Sequence, residues 1–403
     1  YTEYKDHAMA DSEVPWGYRA PEDEHLFDQR TDDPTIQSDL ISPSHEGYFR
    51  FPAIWVDKEP EKETAKALNR NVHHEEVLKR SLNCDIKVRV WRDGTFVFDF
   101  SSWPLAPSVT ITGYRIPSNS TSYKIPPDHS HAEELAESHA VLRAQVMNVH
   151  QLCLSSAEMT LKRRSASTGF PVTAWNTLKG ISPQHMSDYH DDTEDSHALA
   201  RNVLNNSYEV QRAAPLTRRV VEMEVINHSF NLLDDILSKS DPGLIQILEG
   251  AYIAACRCRE KRFGEAVTLS WTVCEQLISS IWNEFLTSQK NERNMPSECM
   301  PKQRRDKLKG RDFTASIVVE VLELNGCINH DLYRMLEISR KSRNHWVHEM
   351  RPPKEREVIT CIRAVEQLLK DTFDFQIAIP ISGRGGVPLW PTWLYREINN
   401  IPS

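Results

Sequence analysis

The first readable pattern in the chain is aromatic and β-branched: GYFRFPAIWV at 47–56 predicts extended structure. DIKVRVW (85–91) and TFVFDF (95–100) alternate apolar and polar positions, as half-buried strands do. Arg92-Asp93-Gly94 lies between them, and Asp-Gly flanked by alternating runs predicts a tight hairpin. SVTITGYRI (108–116) predicts one more strand before a Pro/Ser/Asn-rich loop that ends near Asp128. From His131 to Arg164 the period becomes helical, with Leu135, Leu142, Val146, Val149 and Cys153 on one stripe. Residues 165–216 show no clear period. Helical pattern resumes at 218–239 and is punctuated by Ser-Asp-Pro-Gly at 240–243. Five further helices are predicted at 243–260, 263–286, 314–324, 330–350 and 355–375, with a polar loop at 287–312. Pro352-Pro353 separates the last two, as prolines delimit a helix start.

This order predicts an α+β chain, with a β-containing N-terminal domain followed by an all-α bundle. Residues 1–44 are polar, acidic and Pro-punctuated and read as an extended arm. Residues 45–215 form the β-containing domain with its long helix, and 216–376 the helical domain. Residues 377–403, with Trp390 and Trp393, form a tail expected to pack back onto a domain. A length of 403 residues allows two or three cores. No apolar run is long enough for a membrane span, and the first residues lack the apolar core of a secretion signal. Eight cysteines without any CxxC pair suit thiols in a reducing cytoplasm, not a disulfide framework or a zinc knuckle.

Charge changes the picture in one place. The net charge of −9 is unevenly spread: residues 1–240 hold 25 Lys/Arg against 36 Asp/Glu, and residues 241–376 hold 21 against 20. Such a balance argues against a protein that coats nucleic acid along its length. KQRRDKLKGR (302–311) nevertheless sets six bases against one acid. Its Lys302, Arg304, Arg305, Lys307 and Lys309 are candidates for RNA-backbone attraction through counterion release. The plainer alternative is a flexible charged loop. HHEE (73–76) and His185, His190 and His197 lack ligand spacing and read as solvated surface, so no metal and no cofactor is expected. There is no P-loop, GxGxxG or GxSxG to support nucleotide-hydrolase, Rossmann or α/β-hydrolase chemistry.

The densest chemistry lies in SRKSRNHWVHEMRPPKE (339–355). Cleavage of RNA by its own 2'-OH needs a general base, a general acid and a cation for the charge on the phosphorane. Histidine suits the first two roles, because its pKa lies near neutrality. Arginine suits the third, because its fork of donors matches phosphate oxygens. Asn344 and His348 stand four apart on one helix face, His345 and His348 three apart, and Arg343 borders them. Arg340 and Lys341 are candidate phosphate contacts one turn earlier. One helix offers one good His with one Arg, so two helices meeting across a two-fold axis would complete an acid–base pair. The competing reading is a solvated helix face whose terminal His answers the helix dipole.

Arg343-Asn344-His345-Trp346-Val347-His348 resembles the Rx4–6H signature of the HEPN superfamily of ribonucleases. LYRMLEISRKSRNHWVHEM is similar to the motif helix of its ApeA-like members, and AVTLSWTVCEQLI to a helix that carries a Glu in that group, here Glu275. The resemblance covers about residues 243–376. It implies an all-α domain, a homodimer and metal-independent endoribonuclease activity in toxin, abortive-infection or CRISPR-linked defence. His348 would be the general acid/base, Arg343 the phosphate cation, Asn344 an assistant, His345 a weaker candidate and Glu275 a partner for the motif Arg. The N-terminal domain would restrain the nuclease until a phage-derived trigger or partner protein arrives. Family members neutralised by a minimal nucleotidyltransferase carry Tyr two residues after the His, where this chain has Met350. The alternative function is a non-catalytic HEPN scaffold that binds RNA or a partner protein within a defence complex.

Overall fold

Alternation and the Asp-Gly turn produce a hairpin, the centre of the sheet. In the computed structural model, β4 (Lys87–Trp91) and β5 (Thr95–Asp99) pair antiparallel, with Val88 opposite Phe98 and Val90 opposite Phe96. Gly94 takes φ +87°, and its N–H donates to the Trp91 carbonyl at 3.0 Å. The described residues are 45–49, 54–58, 75–100, 102–103, 110–111, 114–115, 129–162, 171–173, 178–179, 219–239, 241–292, 308 and 314–381. The arm at 1–44, the boundary near 215, the acidic segment 185–197 and the tail beyond 381 lie outside them.

With β1 (His45–Phe49), β3 (Glu76–Ser81) and β8 (Leu178–Lys179), the hairpin forms a five-stranded sheet of order β3-β4-β5-β1-β8. β3 reads EVLKRS, polar and charged because it is an edge, and its pattern carries little alternation. The run 47–56 divides into β1 and β2 (Ile54–Val56), which join different sheets. Pro52 between them has no N–H to give a ladder. β2 pairs in parallel with β9 (Arg219–Val221), whereas β6 (Thr110–Ile111) pairs antiparallel with β7 (Tyr114–Arg115).

The long helix α1 (His129–Lys162) departs from the single stripe its period predicts. Between Ala144 and Met159 nearly every side chain is buried, polar ones included. The reason is position: α1 packs against β1, α2 (Met223–Ser238) and α3 (Pro242–Arg259). Its inward polar groups therefore find partners far along the chain. His150 bonds the Tyr48 hydroxyl at 2.7 Å and the Ser229 hydroxyl at 3.2 Å, and stacks on Phe230. Asn148 donates to the Val172 carbonyl at 2.8 Å and accepts from the Val172 N–H at 2.7 Å. One continuous apolar core runs from the sheet through α1 into the remaining helices.

His139 on α1 is buried, and burial, reinforced by Arg143, depresses its pKa to about 4. A buried neutral His must charge on unfolding, so the unfolded chain binds the proton first. Stability should therefore fall as pH drops from 6.5 towards 4, and change no further from this source below that. At about 1.36 kcal/mol per pH unit, the full effect is on the order of 3 kcal/mol. Melting His139→Gln protein beside the wild type at pH 7.5 and 4.5 checks this. The variant should lose less stability on acidification, and an equal loss would contradict the assignment.

The other helices are α4 (Phe263–Glu292), α5 (Ala315–Leu324), α6 (His330–Glu349) and α7 (Glu355–Phe373). α4 packs against α3, α6 and α7, and α6 packs against α5 and α7 as well. The arrangement is α+β, with the sheet in the N-terminal part and the bundle after it. After α7 the chain threads an extended segment in which Ile377, Ala378, Ile379 and Ile381 are buried. No described helix is long and apolar enough to cross a membrane. The seven described cysteines are free thiols.

Candidate functional site

The site stands at the C-terminal end of α6. Asn329 starts this helix by accepting from the Leu332 N–H at 2.8 Å. Leu332, Leu336, Ser339 and Ser342 form its buried face. The helix stops at Met350, which takes the left-handed φ of +52°. The Met350 N–H donates to the Trp346 carbonyl at 3.1 Å and the Arg351 N–H to the His345 carbonyl at 3.2 Å, which closes the last turn. Such a helix end fixes the backbone that carries both histidines.

Helical geometry separates the motif residues. At 100° per residue, Arg343 and His348 point about 140° apart, with Asn344 between them and about 40° from His348. Arg343 lies on the side of Leu332 and Leu336 and is half-buried, and His348 is exposed. The Arg343 guanidinium donates to Asn344 Oδ1 at 3.0 Å, which draws it towards the His348 side. Among the described residues Arg343 has no ion pair with a carboxylate, and Glu275, half-buried on α4, is not bonded to it. The expected Glu275–Arg343 link is therefore not made within this chain.

His345 is engaged differently. The Arg351 guanidinium donates to its Nδ1, and Nε2 faces Glu349 at 3.9 Å. Arg340 and Lys341 share one carboxylate: Arg340 is bidentate to Glu337 at 2.8 and 3.0 Å, and Lys341 lies 3.4 Å from it. That arginine, with Lys341 behind it, holds the Glu337 carboxyl below its ordinary pKa. Lys302, Arg304, Arg305, Lys307 and Lys309 lie outside the described residues. Their neighbour Leu308 is described, and its carbonyl accepts from Trp282 Nε1 at 3.1 Å.

Two residues of this site carry no signal in the motif itself. Trp346 lies flat against Gly264 at the start of α4, where an added Cβ would fall 2.2 Å from the ring carbon Cε2. Only glycine admits the indole there. Arg351 belongs to the loop by sequence and reaches the motif only because Met350 turns the chain back. Among the described residues no group of three or more His, Cys, Asp or Glu is placed to hold a metal ion. Glu75, from the HHEE run, is paired with Arg92 at 2.5 Å. Compared with protein-family models, with curated proteins and with solved structures, the chain finds no match in any of the three.

Proposed function

We propose that the chain is a HEPN-type, metal-independent endoribonuclease that works as a homodimer. One observation carries the reading: an arginine with no carboxylate partner among the described residues, bonded to Asn344 and one turn from an exposed histidine. A charge left uncompensated at a protein surface suits an anionic ligand. His348 takes or returns the proton of the 2'-OH and the leaving 5'-oxygen, and Arg343 steadies the phosphorane. The products are a 2',3'-cyclic phosphate and a 5'-OH. The dimer is supported by apolar side chains exposed at the end of the same helix, Val347 at 43% and Met350 at 69%. The biological setting is prokaryotic antiviral defence or toxicity, with the N-terminal part restraining the nuclease until triggered.

The test is cleavage of a panel of tRNA and single-stranded RNA in EDTA, by wild type and by His348→Ala. Wild-type cleavage with cyclic-phosphate ends, lost in the variant, is the expected result. Equal cleavage by both proteins would assign the activity elsewhere and defeat the reading. If neither cleaves, growth arrest on expression in cells, abolished by His348→Ala, separates an absent trigger from a binding scaffold.

A further inference from the structure

His348 stands on the side of α6 that faces away from the bundle. At 100° per residue, the buried Leu332, Leu336, Ser339 and Ser342 leave the helix about 120–180° from it. Trp346, which rests on Gly264, leaves about 160° from it. The residues seven and fourteen positions before His348 share its side. Lys341 leaves the helix about 20° from His348, and Arg334 about 40° from it. They stand about 10.5 Å and about 21 Å up the axis, at 1.5 Å per residue. All three residues are exposed, so they form one open line along the helix. Val347, which supports the dimer, leaves about 100° from His348, so this line runs beside the contact between copies.

The two cations on the line are open to an anion. Arg334 has no ion pair with a carboxylate among the described residues. Lys341, its side chain 63% exposed, lies 3.4 Å from Glu337. Glu337 is already held by Arg340 at 2.8 and 3.0 Å, so its charge is compensated without the lysine. An exposed Lys–Glu pair of this kind is weak in water. Of the three acids of α6, Asp331 and Glu349 leave about 100° from His348, and Glu337 alone lies near the line. Cations left uncompensated in a chain of net charge −9 suit an anionic ligand that approaches along this side.

We propose that single-stranded RNA lies along this side of α6, with Lys341 and then Arg334 holding its phosphates as the strand leads away from the bond presented to His348. The inference rests on the ribonuclease reading and adds to it the substrate's path. A single strand fits because attack by a 2'-OH needs that oxygen in line with the bond it breaks. A regular duplex holds the oxygen out of line, and a single strand is free to bring it round. The contacts are to phosphates, so they position the strand without reading its bases.

The experiment is fluorescence anisotropy with a short 2'-O-methyl oligoribonucleotide, which cannot be cleaved, over a series of salt concentrations. The doubly substituted Arg334→Gln, Lys341→Gln protein should bind on the order of tenfold more weakly near about 0.1 M salt. Its slope of log affinity against log salt should be shallower by about 1.4, at about 0.7 per phosphate for single strands. Glu337→Gln removes the acid beside the line and should bind tighter than wild type. Lys79→Gln with Lys87→Gln removes the same charge from exposed positions on the sheet and should keep the wild-type slope. The same oligomer annealed to its complement should bind more weakly than the single strand. No binding by the wild type would overturn the proposal, as would a wild-type slope in the Arg334, Lys341 variant. Equal weakening by the sheet pair would overturn it too, because only net charge would then matter. Weakening by Glu337→Gln would show an effect through folding, and a duplex bound as tightly as the single strand would remove the path argued here. A wild-type slope in the Arg334, Lys341 variant with His348-dependent cleavage intact defeats the path alone. The expected binding differences without such cleavage defeat the catalytic reading alone.

Discussion

Arg343→Ala protein mixed with His348→Ala protein is expected to cleave RNA that neither variant cleaves alone. Each single change should lower the rate by about 10²–10³, the usual cost of removing one group that faces transition-state charge or moves its proton. The reason for recovery is the helix. The two side chains leave α6 about 140° apart, so one helix aims them poorly at one phosphate. Two helices crossing at a two-fold axis can set the arginine of one protomer against the histidine of the other. A mixed dimer then has one site with both groups lost and one with both intact. Co-refolding the variants and measuring cleavage against mixing ratio reads this directly. Recovery approaching half the wild-type rate per mixed dimer is the expected outcome. With both residues of a site on one chain, every mixed site would lack one group and no recovery would occur.

Glu366→Ala is expected to destabilise the fold by about 3–5 kcal/mol, the range for breaking a buried ion pair from one side. Glu366 is 2% exposed and pairs with Arg363, whose side chain is 11% exposed. Its other oxygen accepts the Ile379 N–H at 2.7 Å, and the next peptide back, at Ala378, donates to Ser156 of α1 at 2.9 Å. Glu366 thus holds the extended segment after α7 in the core. Burial pushes its carboxyl above the ordinary range, with Arg363 pulling the other way. Alanine would take its carboxylate from the Arg363 guanidinium and leave the buried Ile379 N–H without this acceptor. Glutamine keeps an oxygen for Ile379 and should cost less. Urea unfolding of the three proteins gives the comparison, and a loss under about 1 kcal/mol for alanine would mean the pair contributes little beyond its own desolvation.

Much of the fold was legible locally. The 85–91 and 95–100 alternation with Asp-Gly between them is the β4–β5 hairpin, and the helical periods at 243–260, 314–324 and 355–375 match α3, α5 and α7 within two residues at each end. Capping residues explain why: Asp241 before Pro242 and Asn329 before α6 satisfy N–H groups from the neighbouring sequence alone. β3 was not legible, because an edge strand is written in charges. Nor was the depth of α1, whose interior Asn148, His150 and Ser156 look like surface residues until Val172, Tyr48 and Ala378 are placed beside them.

The candidate site divides along the same line. The motif, and the chemistry expected of it, are legible in residues 343–348, because spacing along one helix is a local property. That Arg343 leans inward and bonds Asn344, that Arg351 occupies His345, and that Trp346 rests on Gly264 cannot be read there. Periodicity says which residues share a face, and burial and charge compensation depend on what that face meets. Here the partner is a turn some eighty residues upstream, brought to the motif by the packing of α4 against α6.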